Sequence, residues 1–252
     1  DIWGTEILPV AIANTADGVI TGGETGFALD AGVLHGAFTN EGLIEGGTTG
    51  ASFAVDTFDA PFANSGNING GVDGVVMVLG QATGGFLNSG SIDGEWGDGV
   101  DIVVTNWGTE SARADIVNTT SGTITGGANG FVLDLVTMHG DVTNDGSIEG
   151  GNIAVLMSGG TFDGAFSNAG DIDGGATGVA LNLTSVAGAF SNSGSINGGS
   201  GDGVAITVDA WGAAAAPADI VNTSTGIITG GETGFLLDAG AVYGDFINNG
   251  QI

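Results

Sequence analysis

The sequence predicts an all-β chain wound as a three-sided parallel β-helix, a β-solenoid of about ten coils of 24 to 30 residues. Three observations predict it. A motif of the form Asn-x-Gly-x-Ile-x-Gly-Gly recurs from one end of the chain to the other. The residues between copies alternate apolar and polar over short runs, with no helical i, i+3, i+4 stripe. Gly supplies 52 of the 252 residues and Pro only three, which suits strands joined by tight corners.

The motif sets the frame. Clear copies are Asn40-Glu-Gly-Leu-Ile44-Glu-Gly-Gly47, Asn64-Ser-Gly-Asn-Ile68-Asn-Gly-Gly71 and Asn168-Ala-Gly-Asp-Ile172-Asp-Gly-Gly175. The leading residues are Asn14, Asn40, Asn64, Asn88, Asn118, Asn144, Asn168, Asn192, Asn222 and Asn248. Their spacings run 26, 24, 24 and 30 residues and then repeat, so four units make a superrepeat of 104 residues. Trp3, Trp107 and Trp211 stand 104 apart, as do Asp115 and Asp219. The chain is therefore one solenoid segment, 1–252, with cassettes near 1–104 and 105–208 and a partial third over 209–252. It reads as a portion of a longer solenoid.

Each unit divides into three strands. The first ends on the Asn and carries a large apolar residue two positions earlier: Ile12, Phe38, Phe62, Phe86, Ile116, Val142, Phe166, Phe190, Ile220 and Phe246. The second holds the recurring Ile and closes on the Gly pair. The third begins with runs such as Phe27-Ala-Leu29 or Val179-Ala-Leu181. Three strands of four to six residues, with their turns, fill about 24 residues. That is too short for a propeller blade, which needs roughly 40. Coils stacked about 4.8 Å apart bring like residues into ladders. The apolar columns then face inward, the Asn residues form an amide ladder, and corner Gly permits positive φ.

With these coils laid out, the chain resembles the β-solenoid passenger regions of bacterial autotransporters and filamentous-haemagglutinin-like surface proteins. Asn192-Ser-Gly-Ser-Ile196-Asn-Gly-Gly199 is similar to the Asn-Ser-Gly-Thr-Ile repeats common there. The resemblance spans nearly the whole chain. It implies secretion, an extracellular or bacterial cell-surface location and a right-handed helix. Since that scaffold carries many activities, it says little about chemistry.

Charge narrows the partners. One Lys or Arg stands against 29 Asp and Glu, a net charge of −28. Nucleic acid needs arrays of basic side chains to displace counterions, so it is not expected to bind, and anionic membranes should repel this surface. No apolar run approaches the 18 residues of a bilayer span, so no membrane insertion is expected from this segment. The chain holds no Cys, and so no disulfide, thiolate nucleophile or thiolate metal site.

Carboxylates are the abundant functional groups. The position after the recurring Ile reads Thr21, Glu45, Asn69, Asp93, Thr125, Glu149, Asp173, Asn197 and Thr229. Stacked one coil apart, Glu45, Asn69 and Asp93, and then Glu149, Asp173 and Asn197, would form oxygen clusters suited to Ca²⁺. A further acidic group is Asp93, Glu95, Asp98 and Asp101. The alternative is a solvated acidic face. No enzyme is expected: no Gly-x-Ser-x-Gly elbow is present, and a lyase for acidic sugars would have only Arg113. His35 and His139 are four coils apart, roughly 19 Å, and cannot share an ion. Thr recurs only every fourth coil in the outer row, which argues against an ice-binding face.

The longest units carry the Trp loops, Thr105 to Asp115 and Asp209 to Asp219, and Trp3 to Pro9 is the same loop. Each Trp either folds back onto the core or is offered to a neighbouring rod, where Trp is a common anchor. The sequence thus predicts a structural protein that self-associates, laterally or end to end, into a fibre, sheath or surface layer, with Ca²⁺ as a candidate aid. The other reading is an adhesin stalk whose binding tip lies outside this segment.

Overall fold

The computed structural model describes residues 1–5 and 7–252. Three parallel sheets run along the chain, two of ten strands and one of nine, with no helix among the described residues. Every complete coil gives one strand to each sheet. Coil three, for example, comprises Phe62–Asn64, Asn67–Gly70 and Asp73–Ala82. Each strand pairs with its counterparts one coil before and one coil after. The β-solenoid expected from the repeat is the fold observed.

The sequence repeat is also the pairing register. Asn64 faces Asn88, Ile68 faces Ile92 and Met77 faces Ile102. A slip of one residue would turn every core side chain outward, so the buried columns hold the register. Phe38, Phe62 and Phe86 stack with centroids 5.2 and 4.7 Å apart, and Phe166 stacks on Phe190 at 5.3 Å. Between these stacks the column steps down to Ile116 and Val142. A small apolar gap opens there, lined by Ile116, Phe131, Val142, Ile148 and Phe166.

Two of the three strands fall outside the expected four to six residues. The first has three residues, the second four, and the third usually ten, as in Thr49–Phe58. The third strand is long because it bends without breaking its ladder. In Asp73–Ala82, Val75, Met77 and Leu79 point inward, and Ala82, three residues on, is buried again. The change of parity wraps one strand around part of the core while parallel pairing continues on both sides.

The corners need Gly for two separate reasons. Positive φ, the expected reason, holds at seven corner glycines, among them Gly108 and Gly212, both at +68°, in the Trp loops, and at Gly159 within a strand. Elsewhere the cause is close approach. A Cβ on Gly70 would lie 1.8 Å from the Asp73 carbonyl oxygen, a contact that backbone cannot relieve.

Candidate functional site

The Asn ladder forms as the spacing predicts. Nine successive side-chain hydrogen bonds run from Asn14 to Asn248, each Nδ2 donating to the next Oδ1 at 2.8–2.9 Å. Each Nδ2 also reaches a carbonyl of its own turn and one of the next coil. For Asn144 these are Gly146 and Asp171, both at 3.2 Å. The two extra residues after Asn118 move its own-turn acceptor to Gly122. Asn14 through Asn222 are buried, while Asn248 is exposed in the last coil. No buried side-chain polar atom lacks a partner among the described residues. The ladder is thus a fully satisfied polar spine inside an apolar core.

The Trp loops take the first of the two expected arrangements in two of the three places. Trp107 and Trp211 fold back and are 1% and 0% exposed. Their Nε1 atoms donate to Ala114 and Ala218 carbonyls, each at 3.0 Å, across the base of the loop. They plug the widened corner of coils four and eight and offer nothing to a neighbour. Trp3, at 46% exposure, pairs with Leu34 on one side only. It is the one member of the expected contact set that is open.

The acidic residues divide between two surfaces. Glu45, Asn69, Asp93, Thr125, Glu149, Asp173 and Asn197 do form one row along the nine-stranded sheet. Shallow grooves beside it are lined by Glu45, Asn69, Asp93 and Glu95, and by Thr125, Glu149 and Asp173. Asp98 and Asp101 lie around the corner, just before and on the strand Val100–Trp107 respectively. Among the described residues no three acidic or His side chains converge as metal ligands.

Register and side-chain hydrogen bonds set how the oxygens of these residues are disposed. Asn69 stands between Glu45 and Asp93, and register keeps those two carboxylates two coils apart. Asp173 accepts from Asn197 Nδ2 at 2.7 Å, and Asn197 Oδ1 accepts from Thr229 at 3.0 Å. Asp98 Oδ1 accepts from both the backbone and the side chain of Asn129. Asp173, Asn197 and Asp98 thus each direct an oxygen at a protein donor, while Glu149 and Asp173 are direct neighbours in register.

One constellation escaped the sequence reading. His35 Nδ1 donates to Asp59 Oδ2 at 2.9 Å, and the Thr83 hydroxyl donates to the same carboxylate. His139 Nδ1 likewise donates to Asp163 Oδ2 at 2.8 Å, with Arg113 at 3.2 Å from that oxygen. The Thr83 hydrogen bond, followed by His35, holds the Asp59 carboxyl below the usual carboxylate range. His139, followed by Arg113, does the same for Asp163. The available signal was a spacing of 24 residues, one coil, from each His to its Asp. These pairs staple adjacent coils at a corner, and the two His belong to separate coils as expected.

Asp101 is perturbed the other way. Burial between Val76 and Val132 pushes its carboxyl above the ordinary value, and Asp98, Asp73 and Asp134 add to the effect. Among the described residues no helix is long and apolar enough to cross a membrane. No protein family, curated protein or solved structure gives a match to this chain.

Proposed function

We propose that the chain is a structural element of an extracellular assembly: a stiff rod from which a fibre, sheath or surface layer of a bacterial cell is built. The observation that carries this reading is continuity. Three parallel sheets and one unbroken Asn ladder connect every coil to the next, so bending the rod must strain all of them together. Each repeat contacts only its neighbours, and the axial rise of ten coils is roughly 45 Å. The acidic exterior keeps such rods dispersed until specific contacts overcome the repulsion.

A second reading is the stalk of an adhesin passenger whose binding tip lies outside this segment. The burial of Trp107 and Trp211 favours it, because that burial withdraws the anchors expected for lateral assembly. Electron microscopy of the purified protein over a concentration series, with calcium and then with chelator, separates the two. Ordered filaments or sheets are the expected result. Dispersed single rods under every condition would overturn the assembly reading and leave the stalk.

A further inference from the structure

The cassette repeats its core closely, so its outer surface supplies an internal control. On coils three to five large apolar side chains stand in the open: Trp96 is 75% exposed, Val78 53% and Val136 59%. Val78 and Val103 are side by side in register on the outer face of the third sheet. In the adjoining row Val76, Asp101 and Val132 follow one another. Trp96 sits at the corner that leads into the strand Val100–Trp107, where the amide of Gly97 bonds to the Val72 carbonyl at 2.8 Å.

Four of these places hold small or polar groups 104 residues later, although Val132 is matched by Leu236, 44% exposed. Trp96 becomes Ser200, Val78 becomes Asn182, Val103 becomes Thr207 and Val136 becomes Gly240. Asn182 and Thr207 nevertheless pair just as Val78 and Val103 do. The fold therefore forms without these apolar residues. Their concentration on three successive coils has no role in the core, and large exposed apolar side chains gathered in this way mark a contact site.

Charge indicates what fits. Asp73, Asp98, Asp101 and Asp134 are interspersed with the valines, and two of the four revert to Thr177 and Ala205 in the second cassette. An occupant covering this face must bring positive charge to meet the carboxylates. A second copy cannot: the chain has no Lys, and its one Arg, Arg113, is engaged with Asp163 and Asp141. Nucleic acid has the wrong sign. We propose that the outer face of coils three to five docks a partner protein whose contact surface is apolar and carries Lys or Arg side chains. Trp96 is the natural anchor, able to receive apolar contact and a cation on its ring.

The test borrows substitutions from the second cassette. A triple variant, Trp96→Ser, Val78→Asn and Val103→Thr, removes the apolar face and leaves net charge unchanged. A double variant, Asp73→Thr and Asp101→Ala, removes charge and spares the valines. The probes are a synthetic peptide alternating Val and Lys and a second alternating Ser and Lys, titrated calorimetrically at about 0.15 M salt. The Val–Lys peptide should bind the wild-type chain about tenfold more tightly than either variant, and about tenfold more tightly than the Ser–Lys peptide binds. Circular dichroism of both variants should match the wild type. Equal affinity for the triple variant would reduce the effect to general acidic attraction and overturn the proposal, as would failure of the Val–Lys peptide to bind. Concentration-dependent dimerisation abolished by the triple variant would assign the face to a second copy instead.

Discussion

Replacing Asn144 by Asp changes one atom's chemistry at the centre of the ladder while keeping the shape. Asn144 is buried, and its Nδ2 faces three acceptors: Asn168 Oδ1 at 2.8 Å and the carbonyls of Gly146 and Asp171 at 3.2 Å. A carboxylate there would set an anionic oxygen against all three and keep only the bond accepted from Asn118. Stranded buried polar groups cost about 1–3 kcal/mol, and an uncompensated buried charge about 3–5 kcal/mol. The expected loss at pH 8 is therefore about 4 kcal/mol. The sign with pH follows from linkage. The new carboxyl has a folded-state pKa raised above its unfolded value, so its ionic penalty is absent well below that unfolded value. It grows as pH rises, by up to about 1.4 kcal/mol per unit, until the folded pKa is passed. Asn144→Ala, which loses the hydrogen bonds without adding charge, should show no such slope. Urea unfolding of both variants at pH 5 and pH 8, above the sequence pI of about 4.1, reads the difference. A pH-independent cost, or one below about 1 kcal/mol at pH 8, would refute the buried-donor account of the ladder.

Val142→Phe should stabilise the chain, because Phe38 and Phe246 occupy the same place in the flanking cassettes and pack on Phe27 and Phe235 at 5.0 Å. Filling the gap should add about 1–2 kcal/mol, and a lowered urea midpoint would show that the space had already closed. Trp107→Ala should cost about 3–5 kcal/mol through the cavity it leaves; unchanged thermal stability with impaired assembly would restore the anchor role. Asp101→Asn should stabilise the fold at pH 7, since the raised carboxyl pKa makes its ionised form unfavourable in the folded chain. That gain should fade as pH falls through the raised value toward the ordinary carboxylate range, and equal midpoints for the two proteins at pH 7 would contradict it.

The candidate surfaces were legible to different degrees. The acidic row could be read directly, because one residue per coil in a fixed phase must lie in one line. Whether its oxygens point together could not be read, since that depends on hydrogen bonds such as Asn197 to Asp173, set by rotamers across coils. The His–Asp staples were written as a one-coil spacing, yet they become visible only once coils are known to stack in that register. The exposed face of coils three to five was present in the sequence as departures from the 104-residue period. It could not be separated from core until the outward parity of Val78 and Val103 was established.

By itself the sequence determined the coil length, the four-coil cassette, the inward columns and the Asn ladder. All of these follow from period alone, because stacking converts equal spacing into contact and a single slip would expose the core. Only the tertiary structure decided the ten-residue bent strand, the inward turn of Trp107 and Trp211, and the division of the acids between two faces. Those outcomes depend on how much room each corner leaves and which donors meet each oxygen. Neighbours one coil away set both, and they are not adjacent in the chain.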